Sequence, residues 1–304
     1  MATPNGSGLR VLWASDGSES ARTAIPLLRR AVLPATQRLM ILSVAPHSFI
    51  SGARPDARLL LKVTPAIKRR ALIEAEQEAQ RSVTELDPVD TEIVAISCWG
   101  NPISEVLRQA RLDGSDLIVL GAKGHSDLKL ILLGSVSQGV VQHATRPVLV
   151  ARRSASDLRE VVVGFDGSPQ ARRAVEFVER LSLAADIAVR LVFVIEPLVL
   201  PEGMPREFRR MASENAENID ERRLHNARTG LNLTAQKLRA SGRRVDTEVV
   251  TGQSGPILDA VAAQHRAGLI VVGSRKPARE RHYLLGSTAE KLVRHSQASV
   301  LVVR

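Results

Sequence analysis

A chain of 304 residues is long enough for about two domains. Its single cysteine, Cys98, excludes an internal disulfide framework and a cysteine-rich zinc site. The net charge of +10 is spread as +5 in each half with no basic block, and aromatics are only 3%, which argues against a dedicated nucleic-acid binder.

In chain order, Met1 to Gly8 is polar and lacks an apolar signal core. No later run reaches the roughly 18 apolar residues of a bilayer span. With one cysteine, these features predict a cytoplasmic protein with no membrane partner. The first strand is expected over 10–15, where Val11-Leu12-Trp13-Ala14-Ser15 leads into Asp16-Gly17-Ser18. Ser18 is placed as an N-cap, and Ala21, Ala24, Leu27, Leu28 and Ala31 follow at helical spacing. Pro26 inside that pattern predicts a kink or a late helix start. Further strands are expected near 38–44, 91–97, 116–121 and 147–151, with helices over 66–86, 102–112 and 135–144. Cys98 ends an apolar run and reads as a small buried hydrophobe rather than a nucleophile.

The same order then begins again. Val161-Val162-Val163-Gly164-Phe165 leads into Asp166-Gly167-Ser168, and Ala171-Arg172 repeats Ala21-Arg22. Leu117-Ile118-Val119-Leu120-Gly121 returns as Leu269-Ile270-Val271-Val272-Gly273. Leu132-Leu133-Gly134-Ser135 returns as Leu284-Leu285-Gly286-Ser287, and Pro147-Val148-Leu149-Val150 as Ser299-Val300-Leu301-Val302. Strands are expected near 160–165, 188–194, 245–251, 268–273 and 299–303. A period of about 150 residues is a domain, not a solenoid unit. The boundary falls in the polar stretch 152–157, giving domains 1–153 and 154–304. Strands alternating with helices predict two tandem open parallel five-stranded sheets, helices on both faces, of Rossmann-like α/β class. The runs 147–151 and 299–303 are edge strands, which invite pairing.

In such sheets ligands bind beyond the carboxyl ends of strands, where strand order reverses. Asp16 follows the first strand and Gly121 ends the fourth. The sequence continues Gly121-Ala122-Lys123-Gly124, nine residues, then Gly134-Ser135 at the start of a helix. Glycines allow positive φ and close backbone approach. Successive N–H groups and a helix start attract anions, and the Ser135 hydroxyl can donate to a phosphate oxygen. Two ordinary turns and a serine cap would produce the same letters. The P-loop and the G-x-G-x-x-G fingerprint are both absent.

The spacing G-x2-G-x9-G-S between a buried strand and a helix resembles the ATP-binding motif of the universal stress protein family. Asp16-Gly17-Ser18, Ser43-Val44-Ala45-Pro46 and Gly100-Asn101-Pro102 resemble that family as well, and the likeness covers the chain as two tandem copies, with an adenine nucleotide alpha hydrolase-like fold implied. The resemblance implies ATP as ligand. Asp16 and Val44 would line the adenosine pocket. Gly121, Gly124, Gly134 and Ser135 would hold ribose and phosphates, and Val136 would add a helix-start N–H. Lys123 and His125 are either phosphate contacts or solvated loop residues. A carboxylate beside a polyphosphate is unfavourable unless it serves sugar or base donors or a metal. For Asp16 the adenosine role is favoured over direct ligation of Mg²⁺, and a structural turn is the remaining alternative.

The second copy keeps Asp166, Val194, Gly273, Gly286 and Ser287 but places Lys276, followed by Pro277, where the first has Gly124. Lys276 either blocks that site or replaces lost N–H contacts with its ammonium. Last strands pair across dimers in this family, so the two copies are expected to form an intramolecular pseudo-dimer. Homodimerisation of the whole chain is left open. Three functions are weighed: an ATP-binding stress-response or signalling module, a slow ATP hydrolase, and an interaction protein whose second copy has lost nucleotide. No Walker element, arginine finger or water-positioning carboxylate supports the hydrolase. Residues 47–65 and 197–225 differ most between the copies and read as nucleotide covers, partner surfaces or, in preference, solvated flaps with a charged helix.

Overall fold

A computed structural model of the chain describes residues 8–46, 65–86, 91–122, 133–152, 158–197, 203, 205–274 and 285–304. The apolar runs form strands where the sequence places them. In the first half these are β1 (Leu9–Ala14), β2 (Thr36–Pro46), β3 (Glu92–Gly100), β4 (Leu117–Gly121) and β5 (Val148–Ala151). In the second they are β6 (Glu160–Gly164), β7 (Ala188–Ile195), β8 (Val245–Thr251), β9 (Leu269–Gly273) and β10 (Ser299–Val303).

The first crossover is broken into α1 (Glu19–Arg22), α2 (Ala24–Leu27), a π-turn (Leu28–Val32) and a 3-10 turn (Leu33–Ala35). Ser18 caps it, accepting from Ala21 N–H at 3.2 Å. Pro26 has no N–H to continue the ladder, and the segment fragments around it. The matching helix of the second half carries its proline at the first position, Pro169, where no N–H is needed. It runs unbroken as α6 (Pro169–Arg180). The other helices are α3 (Pro65–Leu86), α4 (Pro102–Asp113), α5 (Ser135–His143), α7 (Arg206–Ala240), α8 (Ser254–Gln264) and α9 (Ser287–His295). Residues 206–225 belong to α7, in keeping with the charged helix expected in that segment. The other variable segment, 47–64, lies outside the described residues.

The strand order is β3-β2-β1-β4-β5-β10-β9-β6-β7-β8. Within each half the strands pair in parallel, and β5 pairs antiparallel with β10 through Val148↔Val302, Leu149↔Leu301 and Val150↔Val300. The two expected five-stranded sheets are therefore one ten-stranded sheet, and the two edges cover each other. Alternate strand residues enter opposite layers: Trp13, Leu39 and Val119 pack on one face, Leu12, Leu42 and Ile118 on the other. Burial on both faces is why these strands are runs of Val, Leu and Ile.

The halves also meet off the sheet. Ala184 N–H donates to Arg30 C=O at 3.0 Å, and the Arg30 guanidinium pairs with Asp186. Arg180 pairs with Asp116 at 3.1 Å.

Candidate functional site

In the first half β1 lies between β2 and β4, so the chain order reverses between β1 and β4. A crevice at the carboxyl ends follows from that topology. A cleft of about 700 Å³ opens there. That volume suits a small organic ligand. Its walls are the turn after β1, the end of β2, the end of β4, the first turn of α5 and one face of α3.

The turn after β1 is built by Asp16 and Gly17. Asp16 Oδ1 accepts from Ser18 N–H at 3.1 Å, and Gly17 has φ +73°, where a side chain would be strained. Below it Ser15 is buried, and its Oγ lies 3.0 Å from the donating Ser82 Oγ of α3. Val44, half-buried at the end of β2, faces the cleft.

Gly121 lines the cleft, and it is also required by packing. A Cβ there would stand 2.4 Å from the Ser20 carbonyl oxygen. The loop that follows is closed at its base: Gly134 N–H donates to Ala122 C=O at 2.7 Å, and Ser137 Oγ donates to Gly121 C=O at 2.7 Å. Gly134, not Ser135, is the N-cap of α5, and it brings no capping side chain. The first i→i−4 bond is Gln138 N–H to Gly134 C=O. The helix start, with Ser135 exposed and Val136 beside it, therefore presents its leading N–H groups and its favourable dipole end to the cleft.

Asp16, Val44, Gly121, Gly134, Ser135 and Val136 thus come together on one cleft. Lys123, Gly124 and His125 lie outside the described residues. The sequence reading missed Ser137, the Ser15–Ser82 pair and the α3 face. The signal was the spacing of Ala71, Ala75, Glu78 and Ser82, a small and polar stripe on one side of a charged helix.

The second half keeps the same backbone frame. Asp166 Oδ1 accepts from Ser168 N–H at 2.9 Å, and Gly167 has φ +75°. Gly273 meets the Gln170 backbone, 2.6 Å from where a Cβ would stand. Gly286 is the N-cap of α9, Ser287 follows it, and Val194 is half-buried on β7. The side chains around that frame differ. Phe165 replaces Ser15, is buried, and packs over Gly230 of α7, whose Cβ would stand 3.8 Å from the ring. Glu196, in the place of Pro46, accepts from Ser254 Oγ at 2.6 Å and Ser254 N–H at 3.2 Å at the start of α8. Lys276 and Pro277 lie outside the described residues.

Cys98 is half-buried on β3. Burial, then the negative charge of Glu105, pushes its thiol up to about 11, so it stays protonated at neutral pH. Among the described residues no group of three or more His, Cys, Asp or Glu could hold a metal ion, and no helix is long and apolar enough to cross a membrane.

The fold and the cleft define a duplicated doubly wound α/β protein with a ligand-sized crevice at the switch point of its first half. The universal stress protein family matches residues 9–152 and again 158–304, and the chain belongs to that family as two domains in tandem. Universal stress protein MJ0577 of Methanocaldococcus jannaschii is 29% identical over 156 residues, covering 48% of this chain and 96% of that protein. Universal stress protein Rv1996 of Mycobacterium tuberculosis is 32% identical over 151 residues, 47% of each chain, so the match spans about half of that relative's length. A universal stress protein structure from Archaeoglobus fulgidus shares the fold across 97% of this chain and 98% of its own, with TM-score 0.61 and 20% identity.

Proposed function

We propose that the first domain binds ATP in the cleft between β1 and β4, and that the chain works in the cytoplasm as a nucleotide-responsive stress or signalling module. The observation that carries this reading is the start of α5 opening onto a 700 Å³ cleft at the strand reversal. Leading N–H groups and the Ser135 hydroxyl suit phosphate oxygens. The apolar ledge of Ala45, Ala71 and Ala75 suits a flat base. Asp16, its Oδ1 engaged by Ser18 N–H, suits a sugar or base donor better than a metal. Gly124 and Lys123 enter on sequence alone, as part of the loop closed by the Ala122–Gly134 bond. A bound Mg²⁺ would sit on the phosphates rather than on a protein ligand cluster.

The second domain carries a modified site. Phe165 over Gly230 and the Glu196–Ser254 tie favour a structural or partner-binding role for it, and Lys276 departs from the glycine pattern. The antiparallel β5–β10 pairing makes it the pseudo-dimer partner of the first.

Titration of the full chain with ATP tests the reading. One site per chain is expected, with Ser135→Ala weakening it about tenfold through loss of a hydrogen bond to charge. Gly124→Val is expected to weaken it further. Unchanged affinity in both variants would overturn the site.

A further inference from the structure

The geometry points to Glu78 as the residue that selects a ribose-bearing ligand in the first-domain cleft, by accepting hydrogen bonds from the sugar hydroxyls. This assignment rests on the nucleotide reading above and deepens it.

Glu78 projects from α3 into the cleft with 15% of its side chain exposed. Its carboxylate lies directly over the Gly17 turn: a Cβ on Gly17 would stand 2.3–2.7 Å from the carboxylate atoms. Its contacts are long. Ser82 Oγ, whose proton goes to Ser15, stands 3.4 Å from Oε1, and Arg81 Nη1 stands 3.8 Å from Oε2. A mostly covered carboxylate with two long contacts retains acceptor capacity toward the cleft.

The turn itself does not require this carboxylate. Gly167 in the second domain adopts the same conformation, φ +75° against +73°, with no atom of the described residues within 4 Å of its Cβ position. Asp166 closes that turn with the same bond to Ser168 N–H that Asp16 makes to Ser18 N–H. In the second domain the helix instead offers Gly230 to Phe165. Among the described residues Glu78 is therefore an addition of the first domain, beyond what the turn needs, and its repeat position is Gly230.

Its ligand chemistry follows from the rest of the cleft. A carboxylate repels phosphate, whereas the start of α5 attracts it, so the polyphosphate belongs to the helix end. The base belongs to the ledge of Ala45, Ala71 and Ala75, where Ala75 lies one helical turn from Glu78 and Ala71 two. The donor-bearing part left between base and phosphates is the sugar, whose two vicinal hydroxyls match the two oxygens of one carboxylate.

The test compares ATP with 2′,3′-dideoxy-ATP on the full chain and on Glu78→Ala, with Mg²⁺ and without. The unmutated chain is expected to favour ATP over the dideoxy form by about 10- to 100-fold. Glu78→Ala is expected to lose that preference while binding the dideoxy form as before, and Glu78→Gln to keep part of it. Equal loss for both ligands, no loss for either, or an effect seen only with Mg²⁺ would overturn the assignment and leave the nucleotide site standing. Failure of the unmutated chain to bind either ligand would overturn both.

Discussion

Arg152 and Arg304 clasp the two domains reciprocally. Arg152 Nη2 donates to the Val293 carbonyl in the last turn of α9, and Arg304 Nη2 donates to the Val141 carbonyl in the last turn of α5. The donors are 152 residues apart in sequence, and so are the acceptors, so each arginine follows its own domain's last strand and reaches the helix of the other. A cation at a helix C-terminus meets carbonyls without intrahelical partners and the negative end of the dipole. Arg304 also donates Nη1 to Ser274 Oγ at 2.9 Å, one residue after β9.

Arg304→Met is expected to lower stability by about 3 kcal/mol, the loss of two hydrogen bonds from a charged donor. Arg152 is more deeply buried, 7% exposed, and burial pulls its guanidinium below the usual arginine range. Desolvation already offsets part of its bond, so Arg152→Met is expected to cost less. Urea unfolding of both variants checks the order; an equal or larger loss in Arg152→Met would contradict it.

The interface is only partly symmetric. The arginine clasp and the β5–β10 ladder obey the repeat, but the Arg30–Asp186 and Arg180–Asp116 pairs do not: the repeat position of Asp116 is Gly268, and that of Asp186 is Thr36. Arg30 and Arg180 occupy the same repeat position, so two copies of the first half would face Arg30 with Asp116, and two copies of the second would face Arg180 with Asp186. The ion pairs therefore do not select one pairing over another, and exposed pairs are worth only about 0–1 kcal/mol each. Halves co-expressed as 1–153 and 154–304 are expected to give a mixture of one-to-one complexes and homodimers. Native mass spectrometry reads the ratio, and exclusive one-to-one association would contradict the expectation.

Gly121 and Gly273 are expected as site glycines on sequence, and the structure gives both a packing reason to be glycine. Each lies under the backbone of the first helix of its domain, at Ser20 and at Gln170. Backbone cannot move aside as a side-chain tip can. Gly121→Ala and Gly273→Ala are each expected to destabilise by about 2–3 kcal/mol. Thermal unfolding with and without ATP separates packing from binding: Gly273→Ala should lose stability and keep the ATP-induced shift.

Strand positions were readable because parallel strands buried on both faces must be short Val, Leu and Ile runs ended by Gly or Asp. The repeat supplied the domain plan, and β5 and β10 were readable as edges. What was not readable came from pairs distant in sequence. Ser15 and Ser82 are 67 residues apart, and no local pattern ties α3 to the β1 turn. The difference between Ser15 and Phe165 is one letter; its meaning depends on what α3 and α7 bring against it. Ser137 looked like an ordinary helix residue until its hydroxyl was placed on the Gly121 carbonyl.

Ser137 allows a finer test of the loop. Its Oγ is buried and holds the end of β4 to the first turn of α5, and its repeat counterpart is Ala289. Ser137→Ala removes one hydrogen bond and leaves the Gly121 carbonyl without that donor. A loss of about 1 kcal/mol is expected in urea unfolding, with a several-fold weaker affinity for ATP because the loop base is less fixed. Thr288→Ala, a neighbouring substitution in the second domain, should leave ATP affinity unchanged.

Cys98 provides a check on the β3 environment. Its thiol is raised from 9.0 to about 11, first by burial and then by Glu105. A thiol pushed up to about 11 carries about 100-fold less thiolate at pH 8 than an ordinary one, and thiolate is the species that alkylates. Iodoacetamide is therefore expected to modify the native chain about 100-fold more slowly than the urea-unfolded chain. The rate should keep climbing with pH beyond 9, where an ordinary thiol levels off. Removing the carboxylate with Glu105→Gln takes away one raising influence and leaves burial in place, so the native rate at pH 8 should rise but stay below the unfolded rate. A native rate matching the unfolded one at pH 8 would show that β3 leaves the thiol open to water.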